Sequence, residues 1–201
     1  MRFRPVVLGL LLTLLTLTVP ALAQSAVDGI AADIDAYWAG QFAAAGVPYA
    51  SPAVADVDGP TNTPCGTITP AVGPGAFCAG NDTIYLVPGY FDPSDPQGNF
   101  ALYTVLAHEW GHHIQLELGI ESGASKWREL QADCLAGAYL HSAEDRGVVS
   151  AGMVTQAVGM TAQAGDLSIL PVDGPEHGSA AERGISLMNG YNGGPQGCGV
   201  L

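Results

Sequence analysis

Four cysteines, Cys65, Cys78, Cys134 and Cys198, constrain what this chain can fold into more than any other feature. An even count in an exported protein predicts two disulfides, with three possible connectivities. Cys65 and Cys78 flank a Gly/Pro-rich turn segment, so local pairing is the first choice. That choice leaves Cys134 for Cys198, a link that ties the chain end to the interior. In the loop-entropy description each link is worth about 3 to 4 kcal/mol. A zinc site made of all four thiolates is the alternative, and it is weak because no Cys-x-x-Cys pair exists.

Export is read from the first residues. Arg2 and Arg4 precede the apolar run Val6–Val19, and Ala21-Leu22-Ala23 offers a small-x-small cleavage site. As a helix that run would be about 21 Å long, short of the ~30 Å hydrocarbon core. Residues 1–23 therefore read as a secretory signal peptide and 24–201 as a single mature domain, with an uncleaved anchor as the alternative. The expected location is secreted or periplasmic, with no stable membrane anchor after cleavage. The oligomeric state is left open.

Charge narrows the partners. After cleavage only four of the six Lys and Arg residues remain, against 19 Asp and Glu. Four bases do not neutralise a phosphate backbone, so no nucleic-acid partner is expected. Anionic membrane surfaces are disfavoured for the same reason. With 48% hydrophobic and 12% charged residues the composition is that of a packed protein and not of a disordered one.

Helical periodicity begins with Val27, Ile30, Ile34, Tyr37, Trp38 and Phe42, and Gly46 and Pro48 stop it. Residues 47–81 read as loop with short strands. Thr83–Val87 is a β-type run, and with Gly66–Thr69 it predicts a hairpin pinned by Cys65–Cys78. Helices follow over about 100–118 (Asn99 capping, Gly119 ending), from Ser125 to about His141, and after Ser150 with Met153, Ala157, Met160 and Ala164 on one stripe. A last helix opens with a capping box, Ser179 and Glu182, and ends near Asn189-Gly190. The fold class is α+β, mainly helical, with a small β-sheet or hairpin.

The chemistry concentrates in His108-Glu109-Trp110-Gly111-His112, an H-E-x-x-H pattern inside a predicted helix. At about 100° per residue the two histidines project from one face and can hold two corners of a tetrahedral zinc site. Glu109 sits beside them, able to reach a zinc-bound water without ligating and to take its proton. His113 lies about 140° round the helix and is expected to be structural or solvent-facing. The next helix presents Glu129 and Asp133 on one stripe among Leu130, Ala132, Cys134, Leu135 and Ala136. One carboxylate can complete the metal site, and the other can accept from the far nitrogen of a ligand histidine. A solvated acidic face is the bland alternative, disfavoured by those apolar neighbours.

Five stretches together resemble one family over nearly the whole mature chain: Thr63-Pro64-Cys65-Gly66; Phe77-Cys78 with Thr83-Ile84-Tyr85-Leu86; Ala107–Gln115; Glu129–Gly137; and His177-Gly178-Ser179-Ala180-Ala181-Glu182-Arg183. The chain resembles the bacterial putative neutral zinc metallopeptidases, with elements similar to a broader gluzincin pattern. The resemblance implies a zincin-like domain holding one zinc ion per chain. It implies His108, His112 and Glu129 as the ligands, Glu109 as the catalytic base and Asp133 as the support of a ligand histidine. His177, next to Gly178 just before a helix start, is placed to reach a cleft and bind an oxyanion or a substrate carbonyl. The alternative is a histidine bonded to backbone at that helix start. Arg183 is expected to pair with a buried carboxylate such as Asp166 or Asp173, or to form an ordinary surface pair. The strand at 83–87 is expected to offer its edge to a peptide backbone.

Three readings result. The first is an exported zinc metallopeptidase acting on peptide or protein substrates. The second is a non-catalytic zinc-containing binding or assembly protein. The third is a structural exported domain whose motif is accidental. Glu109 favours the first over the second.

Overall fold

The computed structural model describes residues 20–71, 73–91, 96–120, 125–166 and 177–201. Residues 1–19 of the expected leader, Asp173, and the side chains of Ala164 and Asp166 lie outside that description. The first helix, α1 (Pro20–Ala45), buries the periodic residues Val27, Ile30, Ile34, Trp38 and Phe42, with Tyr37 packed half-buried against the same core. It stops where expected. The Gly46 N–H donates to Ala43 O and the Val47 N–H to Phe42 O, which satisfies the last carbonyls.

The strands are short: β1 (Ala53–Asp56), β2 (Thr61–Thr63), β3 (Gly66–Ile68), β4 (Gly75–Cys78) and β5 (Thr83–Leu86). One sheet has the order β1-β5-β4, with β1 parallel and β4 antiparallel to β5. β2 and β3 form a separate two-stranded ribbon. The predicted hairpin between residues 66–69 and 83–87 is therefore replaced by two pairings, β3 with β2 and β5 with β4. All four residues of β5 are buried, so it is the central strand and not an edge. The Cys65–Cys78 disulfide forms as expected, and it clamps the turn of the ribbon to the end of β4.

Four more α-helices follow among the described residues: α2 (Pro96–Glu117), α3 (Ser125–Asp145), α4 (Ala151–Asp166) and α5 (Ala180–Gly197). α2 begins at Pro96, which places Asn99 inside the helix and not at its cap. Its end is as predicted: Gly119 N–H donates to Leu116 O and Ile120 N–H to Gln115 O. α3 runs one turn past His141. α5 opens on the predicted capping box. It does not end at Gly190 but continues to Gly197 through a kink at Gly194, before Pro195.

Close helix approach positions the site. A Cβ on Gly111 of α2 would sit 2.8 Å from both the Cα and the carbonyl oxygen of Ala132 on α3, so only glycine permits this contact. At the crossing of α3 and α5, a Cβ on Gly137 would collide with the Leu187 carbonyl and one on Gly190 with the Cys134 carbonyl. The second disulfide, Cys134–Cys198, closes the same crossing from the chain end. The fold is thus a mainly helical α+β domain, and among the described residues no helix is long and apolar enough to cross a membrane.

Candidate metal centre

The approach at Gly111 brings two helix faces together. His108 and His112 of α2 and Glu129 of α3 each offer a ligand atom, and these atoms lie within 4.8 Å of one another. His108 Nε2 is 3.2 Å from Glu129 Oε2, and His112 Nε2 is 3.3 Å from Glu129 Oε1. A tetrahedral zinc site with ligands at about 2.0 to 2.1 Å has neighbouring ligand atoms roughly 3.3 Å apart. The two histidine-to-Glu129 separations match that spacing.

The far nitrogens show which way each imidazole faces. His108 Nδ1 is 2.8 Å from Asp133 Oδ1, and His112 Nδ1 is 3.0 Å from Gln115 Oε1. Both partners are acceptors, so both Nδ1 atoms carry a proton, and in the neutral imidazoles that hold a metal both Nε2 atoms would be lone pairs on the Glu129 side. Lone pairs facing a carboxylate repel unless a cation lies between them. Burial disfavours the His108 cation, yet Asp133 and Glu129 outweigh it and push the imidazole up to about 10. Burial alone would raise the Glu129 carboxyl, but hydrogen bonds from His108 and His112 hold it well below the usual carboxylate range. Without a metal the site draws in a proton as its cation. Two neutral imidazoles and a carboxylate fit a zinc ion.

Glu109 is buried, 8% exposed, and lies beside the donor set without belonging to it. A Cβ on Gly75 would meet Glu109 Oε1 at 3.2 Å, so the carboxyl rests against the backbone of β4. Burial raises its pKa above the ordinary value, while His108 and His112 pull it down.

Asp133 lies behind His108, in contact with its Nδ1. Arg183 of α5 pairs with a buried carboxylate, as expected, but with Asp133 in place of Asp166 or Asp173: it donates from Nε to Asp133 Oδ2 at 2.7 Å and from a terminal nitrogen to Oδ1 at 2.9 Å. The same guanidinium reaches Glu129 Oε2 at 3.9 Å. It is buried and is not a surface pair. Sequence reasoning missed this partner because 50 residues separate the two, although the scarcity of bases in the chain was a signal that each one matters. Gln115 and Gln131 were also missed. Gln115 lies three residues after His112, within side-chain reach on a helix.

His113 is structural and fully buried, not solvent-facing. Its Nδ1 is 2.7 Å from Asp82 Oδ1 and its Nε2 is 3.0 Å from Ala50 O. With Glu117 these form a second cluster of donors. Both ring nitrogens have oxygen partners within the fold, so His113 fastens α2 to the turns before β1 and β5. His177 is half-buried and is not among the clustered donors. The neighbouring Gly178 packs against the site's flank, where an added Cβ would meet Leu130 at 3.0 Å and Arg183 at 3.7 Å.

Residues 20–200 match the family model described as putative neutral zinc metallopeptidase. The chain is 30% identical over 183 residues to the uncharacterized protein YpfJ of Escherichia coli K12, covering 78% of this chain and 63% of that one. It is 31% identical over 175 residues to an uncharacterized protein of Mycobacterium tuberculosis H37Rv, covering 71% of this chain and 59% of the relative. The chain thus spans less than two thirds of the length of these curated relatives. No solved structure matches.

Proposed function

This chain belongs to the putative neutral zinc metallopeptidases, and from that membership together with the donor set on α2 and α3 we propose that it is a zinc-dependent peptidase working outside the cytoplasm. The observation that carries the reading is the paired orientation of His108 and His112. Each has its Nδ1 committed to an acceptor, and both Nε2 atoms face Glu129 across a gap of zinc-site dimensions. Two disulfides support an oxidising location, and Arg2 and Arg4 ahead of the apolar run Val6–Val19 support the proposed export.

When bound, zinc supplies Lewis acidity that polarises a peptide carbonyl and acidifies water. The chain's own groups do the rest. Glu109, buried against β4, takes the proton of the attacking water and returns it to the leaving amine. Its raised pKa suits a group that must both accept and release that proton. Asp133 keeps the His108 proton on Nδ1. β4, one of the two outer strands of the sheet and the one that lies against Glu109, replaces residues 83–87 as the strand proposed to align a peptide backbone over Glu109. His177 is proposed to hydrogen-bond the developing oxyanion from the segment beside Arg183. The excess of acidic residues is proposed to favour basic or neutral peptides over acidic ones.

Glu109→Gln tests the reading. The variant keeps about one zinc per chain, while peptide-library cleavage falls by at least ~100-fold. If wild type and variant both bind zinc and cleave equally poorly, the protein is a zinc-containing binding protein. A folded wild type without metal removes both zinc readings.

A further inference from the structure

We propose that Gln115 and Gln131 are positioning residues that tie His112 to the Cys134–Cys198 cross-link, so that the metal affinity of the site depends on that disulfide. The proposal rests on the reading of the site as a metal centre. His112 Nδ1 faces Gln115 Oε1 at 3.0 Å. Gln115 Nε2 donates to Arg128 O at 2.8 Å and to Gln131 Oε1 at 3.1 Å. Gln131 Nε2 donates in turn to Cys198 O at 3.1 Å. Cys198 is held by its disulfide to Cys134 on α3 and by its N–H to Pro195 O.

The chain of bonds has one consistent direction. The Cys198 carbonyl is an acceptor only, so it fixes the Gln131 amide with nitrogen outward and oxygen toward Gln115. That oxygen and the Arg128 carbonyl fix the Gln115 nitrogen, which turns the Gln115 oxygen to His112. His112 must then carry its proton on Nδ1 and leave Nε2 as a lone pair. Reversing any one amide sets donor against donor or acceptor against acceptor in a buried place. Gln115 is 0% and Gln131 6% exposed, so water does not stand in for either. The tautomer and ring angle of His112 are therefore set by the backbone carbonyl of a cross-linked cysteine. His108 has its own support in Asp133 and Arg183, so the two ligand histidines are held by different devices.

The test uses the full chain. Zinc affinity is read by competition with a chromophoric chelator, and the His112 ring proton is read by nitrogen-edited NMR of the metal-free protein. Gln115→Met keeps the volume and removes the acceptor. It is expected to weaken zinc by about 10- to 100-fold and to abolish the slowly exchanging Nδ1 proton of His112. Gln131→Met, and the double variant Cys134→Ala with Cys198→Ala, are expected to weaken zinc less and to speed exchange of the same proton. A folded Gln115→Met protein with wild-type affinity and an intact proton signal overturns the proposal. If that variant fails to fold, Gln131→Met with wild-type values overturns it instead. Wild-type values in the double cysteine variant overturn the link to the disulfide. A wild type that binds no zinc ends the metal-centre reading, and the ring proton, read without metal, still decides whether the relay orients His112.

Discussion

Two aspartates in this molecule each grip an arginine with both oxygens and accept one further proton, yet they do so in opposite surroundings. Asp133 takes Arg183 at 2.7 and 2.9 Å and His108 Nδ1 at 2.8 Å. Asp33 of α1 takes Arg146, just past α3, at 2.5 and 2.9 Å and the Tyr139 hydroxyl at 2.8 Å. The side chains are 7% and 2% exposed in the Arg183–Asp133 pair, against 41% and 25% in the Arg146–Asp33 pair. The contact geometry is nearly shared, so the medium makes the difference. In water such a pair adds little, because screening and side-chain entropy offset the attraction. In the dry interior desolvation consumes most of the gain, but each partner becomes indispensable to the other. The buried pair is thus a poor device for stability alone and a good one for fixing an imidazole.

Arg183→Met is the largest way to break the comparison. It leaves the Asp133 carboxylate buried with His108 as its remaining partner, and losses of this kind cost about 3 to 5 kcal/mol. Urea unfolding checks the stability. The same variant should weaken zinc by roughly 10-fold or more, because His108 loses its fixed acceptor geometry. A cost below about 1 kcal/mol would make the buried pair equivalent to the exposed one. The counterpart on the wet side is Tyr139→Phe, which removes a hydroxyl from Asp33 without opening a void. Tyr139 is fully buried, but Asp33 is 25% exposed and keeps Arg146, so about 1 kcal/mol is expected, and zinc affinity should not change. A zinc effect from Tyr139→Phe would mean that the α1 end of the molecule is coupled to the metal site.

The same contrast explains what could be read from the sequence. The α1 stripe was legible because its spacing alone selects a buried face, and Trp38 and Phe42 are indeed buried. The capping box at Ser179 and the stop at Gly119 were legible because they are local. His108 and His112 were legible as a pair because helix geometry alone sets them side by side. The sheet was misread because strands of three or four residues carry almost no register information, and β5 found β4 and β1 instead of β3. Arg183 found Asp133 through the crossing at Gly137 and Gly190, a contact made of missing side chains and so without a sequence pattern of its own. The end of α5 was misread for a related reason: the asparagine-glycine pair at 189–190 looks like a stop, but Gly190 serves the crossing with α3.

The smallest effect is Asp33→Asn, and its pH dependence separates it from every change at the metal site. Arg146 lowers the Asp33 pKa first and foremost; burial pushes the other way, and the Tyr139 hydroxyl adds to the lowering. A carboxylate held below its unfolded value of 3.8 contributes stability above that value and loses it as the pH falls through the folded pKa. The variant should therefore be less stable than wild type by a constant amount from neutrality down to about pH 5, and the difference should shrink and vanish as the pH falls further. For a pair this exposed the constant amount is roughly 0.2 to 1 kcal/mol, and added salt should reduce it. Arg183→Met should show almost no such salt dependence, because the buried pair is screened by protein and not by ions. Urea melts of both variants at low and high salt decide the matter. Equal salt sensitivity would show that solvent reaches both aspartates alike, and the contrast between them would fall.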